Sequence, residues 1–303
     1  MSKKVLVVHY SQTGQLTRII EKLCEGLNDP DITIDHLKIE PQEPFPFPWT
    51  RLAFFNTFPE SVFGIPLPIK ETEIDPNADY DLVVLGYTIW YMAPSIPINS
   101  FLVSEKGKAL MKGKKVITIL GGRNMWVMAQ EKMKVLLKAC GSELVGNIAI
   151  VDKSPNLVSI ITIIRWMFYG KKEPFLGFPQ AGIREEEIHS ASKFGTLIKK
   201  DLLANDLSGT NETLLDNGAV FIKPALLVLE KRATKIFTIY DNFMLKKGGY
   251  KDKARLGRVR FLSYIIPIGA FILSPITTLS TFLISKIKRQ ELEEEIVLLK
   301  RCD

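Results

Sequence analysis

Val5-Leu-Val-Val-His-Tyr-Ser-Gln-Thr-Gly-Gln-Leu-Thr-Arg-Ile-Ile20 decides how the rest of the chain is read. An apolar run ends at Tyr10, a turn of hydroxyls and Gly14 follows, and apolar residues return at helical spacing as Leu16, Ile19, Ile20 and Leu23. An unbroken apolar run marks a strand covered on both faces, so the stretch predicts a parallel strand, a loop and a helix. Ser11, Thr13 and Thr17 carry hydroxyls, Gly14 permits a tight turn, and the first N–H groups of a helix have no partner within it. Such a constellation receives a phosphate. An ordinary strand-to-helix turn would need the glycine but not the hydroxyls, and remains the plainer alternative.

Working outward, Ile32–Ile39 alternates as a half-buried strand, and 81–86 and 115–122 are apolar strands that close on Gly. Residues 143–151 form a fifth strand, with helical spacing over 97–106, 126–140 and 183–203. Strands that alternate with helices give an α/β fold, a doubly wound parallel sheet of five strands over about residues 1–205. Two insertions interrupt it. Residues 41–78 interleave Pro41, Pro44, Pro46, Pro48, Pro59, Pro66 and Pro68 with Phe45, Phe47, Trp49, Phe54, Phe55, Phe58 and Phe63, predicting either an apolar lid without regular structure or a loop tucked on the core. Residues 153–175 contain the apolar run Leu157–Tyr169 around Arg165, too short to cross a bilayer.

After a polar linker at 205–217 the chain changes character, and 206–303 reads as a C-terminal extension. Residues 223–303 hold 16 Lys+Arg against 8 Asp+Glu, so the basic excess of the chain (net +7) lies at its back. Residues 246–260 carry seven Lys/Arg against Asp252, and 261–285 has no charge. That run would be about 37 Å long as a helix. With positive flanks on both sides, a segment that dips into a membrane and returns, a true span, and a buried helix are all open. The basic flank points to an anionic membrane surface as partner rather than to nucleic acid. Cys24, Cys140 and Cys302 form no CxxC pair, which argues against a disulfide framework or a zinc site. Met1-Ser-Lys-Lys runs straight into the first strand, so a cytoplasmic protein, peripheral or monotopic on the inner face of the membrane, is expected. The oligomeric state is not legible.

In an open sheet of this kind, ligands sit beyond the carboxyl ends of the strands, where strand order reverses. Besides residues 11–17, the loops expected there are 87–95, with Tyr87, Thr88, Ile89, Trp90 and Tyr91, and 121–126, with Gly121, Gly122, Arg123 and Trp126. A phosphate cradle beside aromatics suits a ligand with a phosphate at one end and flat rings at the other. The histidines are less promising: His9 reads as packed beside the loop, His36 and His189 as solvent-facing.

The three loops resemble those of the flavodoxin-like family, with strand order 2-1-3-4-5. That resemblance implies FMN. Its phosphate would lie on Ser11, Gln12, Thr13, Gly14, Gln15 and Thr17, and its ring between Thr88–Tyr91 and Gly121–Arg123. Leu16 stands where the family's loop carries a second Thr, with Thr17 one step on. Over its length the chain also resembles the dialkylresorcinol condensing or aromatising enzymes of aryl-polyene pigment biosynthesis, through Tyr10–Thr17 and Asp216-Asn-Gly-Ala-Val220. That implies oxidative aromatisation of a long-chain 2,5-dialkylcyclohexane-1,3-dione, in partnership with a ketosynthase. Tyr87 and Tyr91 are then expected to polarise a carbonyl and Arg123 to steady an enolate or the reduced flavin. A quinone or flavin reductase using NAD(P)H, and a non-catalytic scaffold presenting a lipidic intermediate, stay open beside it. No metal site is expected.

Overall fold

The computed structural model describes residues 2–75 and 77–303, apart from the side chains of 270, 271 and 273–275. β1 (Lys3–His9) is buried over its last five residues, because its apolar run is covered on both faces. It feeds α1 (Gln15–Leu27), which buries the stripe Leu16, Ile19, Ile20, Leu23 and Leu27 against the sheet. β2 (Ile32–Lys38) lies at an edge, with Leu37 buried and His36 exposed. The chain continues through α2 (Arg51–Asn56), α3 (Phe58–Val62), β3 (Leu82–Trp90), β4 (Ala93–Pro94), α4 (Ile96–Val103) and α5 (Glu105–Met111). β5 (Lys115–Gly122), α6 (Val127–Ala139), β6 (Glu143–Val151), α7 (Asn156–Tyr169), α8 (Glu185–His189) and α9 (Ala191–Leu203) complete the sheet and its cover. The tail forms α10 (Thr210–Asp216), α11 (Pro224–Leu245), α12 (Leu256–Ile287) and α13 (Arg289–Leu299).

The sheet order is β2-β1-β3-β5-β6, all parallel, with β4 antiparallel to β3. Counting the parallel strands alone, this is 2-1-3-4-5, with the reversal between β1 and β3. The fold is flavodoxin-like. Six strands rather than five form it, the sixth being the two-residue β4.

Several expectations are corrected. The helix expected over 97–106 divides at Ser104, whose hydroxyl accepts from Gly107 N–H and starts α5. The helix expected over 183–203 divides at Ser190, and the linker contains α10. The 41–78 insertion is not devoid of regular structure: Thr50 caps α2 by accepting from Ala53 N–H, and α3 follows at once. Packing does not break at residue 205, since Leu214, Leu227, Leu292 and Ile296 belong to the same buried cluster as Val5–Val8. α9 lies close on α1 because Gly26 and Gly195 face each other's backbones; a Cβ on Gly195 would sit 2.0 Å from Leu23 O.

Candidate functional site

β1 and β3 pair up to His9 and Gly86. Two residues beyond that last pair on each strand stand Ser11 and Thr88, whose side-chain oxygens are both buried and without a hydrogen-bond partner. Burying a hydroxyl unpaired costs about 1–3 kcal/mol, so two of them side by side at the reversal of strand order are informative. Next to them, Gly14 sits in the left-handed region (φ 79°) at the start of α1, and no side chain caps the helix. A Cβ there would meet nothing within 4 Å. Thr13 and Gly14 are exposed, and the N–H groups of Gln15, Leu16 and Thr17 open the helix. The donor set of hydroxyls and uncapped N–H groups fits a phosphate.

The other loop residues have structural duties. Gln15 is buried and clamps the backbone of Ile183, donating to its carbonyl (3.1 Å) and accepting from its N–H (3.3 Å). Gln12 ties the lid down: its amide donates to Pro46 O (3.0 Å) and accepts from the Trp49 indole (3.2 Å). Thr17 Oγ1 lies 3.5 Å from His9 Nε2. Burial lowers the His9 pKa to about 4, helped by His36 and Lys38, so the ring is neutral at physiological pH. Leu16, the departure from the family's loop, is a core residue that reaches towards Gly121; a Cβ on Gly121 would lie 3.4 Å from its Cδ1 and 3.1 Å from that of Ile19. A Cβ on Gly122 would approach Ile89 Cδ1 to 2.9 Å.

The aromatic end is built from both insertions. Trp90 is crossed edge-on by Tyr10, Phe45 and Trp49 at centroid distances of 5.9, 4.9 and 5.5 Å. Phe47 packs on Trp166 and Phe54 on Phe168, so the lid rests on α7. β3 and β4 join through a two-residue hairpin, Tyr91-Met92, with φ of 51° and 62°. Such a turn favours Asn-Gly; two non-glycine residues in it store about 1–3 kcal/mol each. Packing holds them there, the Tyr91 ring lying 4.8 Å from Phe54 and 4.2 Å from Phe58. Its hydroxyl donates to Phe54 O (2.7 Å) and lies 3.1 Å from Thr57 Oγ1.

The three residues expected to act on substrate are placed elsewhere. Tyr87 is fully buried and donates to Gln130 Oε1 (2.6 Å); Gln130 donates to Thr118, and Thr118 to Asn147, a closed polar network through the core. Tyr91 is turned into the lid, and burial raises the pKa of both phenols well above the usual value. Arg123 spends its donors on α7, at Ser159 Oγ (3.1 Å) and Asn156 Oδ1 (2.7 Å). Burial lowers its pKa to about 10, which leaves it charged. It fastens an insertion to the third loop.

Two buried carboxylates on α11 were not among the residues expected to matter. Glu230 is fully buried and accepts from Trp126 N–H and Met128 N–H (both 3.0 Å), capping α6 across the chain. Desolvation raises its pKa to about 7 despite those bonds. Asp241 is also fully buried, has neither oxygen paired, and is raised to about 8, chiefly by desolvation. Nearby, Arg255 and Glu60 form a bidentate pair (2.8 and 2.9 Å) with 0% and 1% of their side chains exposed. A cavity of about 540 Å³ lies beside the third loop, beyond the end of β6, lined by Asn124, Trp126, Phe221, Ile222, Leu226 and Glu230 among others. Asn124 Oδ1 there has no partner.

No family model matches the chain, and no curated protein does. Among solved structures it is similar to a flavoprotein from Lactobacillus acidophilus NCFM in complex with FMN, at 19% identity and a TM-score of 0.39, covering 49% of this chain and 93% of that one. It is also similar to a flavodoxin from the domain Archaea (12%, 0.35, covering 66% and 99%) and to flavodoxin 1 from Bacillus cereus (11%, 0.35, covering 67% and 98%). At these identities and scores the likenesses carry no argument about function; the strand order itself establishes the fold.

Proposed function

We propose that this chain is an FMN-dependent oxidoreductase that aromatises a long-chain 2,5-dialkylcyclohexane-1,3-dione to a dialkylresorcinol, acting with a ketosynthase. The observation that carries the FMN half is the pair of orphaned hydroxyls, Ser11 and Thr88, beside the uncapped start of α1. Ser11, Thr13, Gly14, Thr88 and the first N–H groups of α1 would hold the phosphate. At 5.5 Å between centroids, Trp49 and Trp90 leave no gap for a third ring between them, so segment 45–49 would have to yield for a flavin ring to be received beside Trp90. Bound FMN supplies a hydride acceptor. Aromatisation removes two hydrogens from the ring of the dione, one as hydride and one as a proton that this chain must take up. Glu230, with a pKa of about 7 and a place on the cavity wall, is matched to that proton. The apolar side of the same cavity, at Phe221, Ile222 and Leu226, suits an alkyl chain, and its volume lies within the usual range for a small-molecule site.

The close packing of Trp49 on Trp90 favours a second reading, a scaffold that presents a lipidic intermediate without flavin chemistry. Anaerobic mixing of the FMN-loaded protein with a dialkylcyclohexanedione separates the readings. Bleaching of the flavin with formation of one resorcinol per flavin is expected. Protein that stays colourless in FMN supports the scaffold, and oxidation of NAD(P)H with a quinone acceptor supports a reductase.

A further inference from the structure

Most of the chain turns its large apolar side chains inward, but α12 turns them out. Phe261, Ile265, Ile268, Ile272, Leu279 and Ile287 are each 42–81% exposed. With about 100° of rotation per residue, these positions fall within an arc of roughly 100° that runs most of the length of the helix, roughly 40 Å. The opposite side, with Val259, Ser263 and Thr281, is buried, and Arg232 of α11 donates to Ser280 of α12. α11 extends the outward surface through Ile236, Ile239 and Phe243, and Arg258 lies over the Phe243 ring. An exposed apolar stripe of this size marks an interaction surface.

We infer that this stripe lies in the headgroup region of an anionic membrane. Charge selects the occupant. Exposed Lys246, Lys247, Lys253 and Arg260 stand at one end of the stripe and Lys286 and Lys288 at the other, the arrangement of a helix that buries its apolar face in a bilayer while its cations meet lipid phosphates. A helix packed along one side on α11 lies on such a surface rather than through it. Among the described residues no helix is long and apolar enough to cross a membrane, although the expected uncharged run 261–285 falls partly on side chains outside that set. Docking also places the lid. Arg255 at the foot of α12 is paired with Glu60 of α3, and Arg51 of α2 lies 3.8 Å over the Tyr264 ring. The aromatic lid is therefore fastened to the docking helix, and if the function proposed above holds, a long-chain substrate reaches the site from the lipid side.

Co-sedimentation of the full chain with phosphatidylcholine vesicles containing about one-third phosphatidylglycerol tests this directly. Binding to those vesicles and not to phosphatidylcholine alone is expected at physiological salt. The variant Ile268→Asp/Ile272→Asp/Leu279→Asp should lose it, and Lys246→Gln/Lys247→Gln/Lys253→Gln should weaken it on the order of 100-fold. All six positions are exposed, so both variants should keep the parent's circular dichroism and melting temperature. The lysine variant also serves as the test where the aspartate variant does not fold. Failure of the parent to bind would overturn the inference, as would undiminished binding by the lysine variant. So would a dimer, dissolved by the aspartates, that ignores vesicles. Sedimentation is read whether or not FMN binds, so this inference and the flavin proposal fail separately.

Discussion

Two regions beyond the carboxyl ends of β1 and β3 differ in how their polar groups are used. At the hydroxyl end, Ser11 and Thr88 are buried with nothing to bind. At the aromatic end the Tyr91 hydroxyl and the Trp49 indole N–H are engaged, and the rings fill one another's edges. Folding alone explains the second end. It does not explain the first, because an unpaired buried hydroxyl costs stability and an alanine or valine there would serve the fold better. Groups that stabilise nothing in the folded chain mark where a ligand is expected; groups that are fully satisfied, Tyr87, Tyr91 and Arg123 among them, belong to the architecture.

The largest effect expected from probing this contrast lies beneath the aromatic end. Arg255→Leu leaves Glu60 buried without its partner and should destabilise the protein by about 3–5 kcal/mol, read by chemical denaturation. A loss below about 1 kcal/mol would mean the lid is not held from this side. Asp241→Asn tests the unpaired carboxylate next to it. The folded pKa of Asp241 is raised to about 8, so its protonated form is the one the fold prefers. That contribution is complete below the unfolded value of about 4 and is lost as pH climbs through about 8. Asn should therefore raise stability by several kcal/mol at about pH 9 and change little near pH 4. An equal gain at both would show that charge is not the cause.

At the hydroxyl end the sign reverses. Ser11→Ala/Thr88→Val should leave stability unchanged or raise it by about 1 kcal/mol, while weakening FMN binding by on the order of 100-fold. Loss of stability would show that these hydroxyls already have partners. The smallest effect is expected for Gln12→Ala, which frees the lid from the loop at about 1 kcal/mol. It should speed FMN association and dissociation together in stopped-flow fluorescence, whereas a change in dissociation alone would make Gln12 a phosphate ligand rather than a latch.

The strands and the first loop were legible because their signals are local. Residues 115–122 and 143–151 are β5 and β6 to the residue, and the hydroxyls of 11–17 sit where the apolar run stops. The roles of Arg123 and Tyr91 were not, since they depend on where α7 and the lid come to rest, and nothing in the sequence near residues 91 or 123 states that. Glu230 and Asp241 do carry a signal in the sequence. Leu227, Glu230, Phe237, Asp241 and Met244 recur at helical spacing on one face of α11, so two acids occupy positions of the core-facing stripe. Helical spacing alone marks an acid on such a stripe as a buried carboxylate. The partners of Glu230, at Trp126 and Met128, lie more than 100 residues away, and only the fold brings them together.

If the hydroxyls of Ser11 and Thr88 await a phosphate, fluorescence titration of the purified protein with FMN and with riboflavin, which lacks the phosphate, shows it most directly. FMN should bind at least about 100-fold more tightly than riboflavin, and Ser11→Ala/Thr88→Val should bring the two together. Equal affinity for both in the parent protein, or no binding of either, would contradict the account.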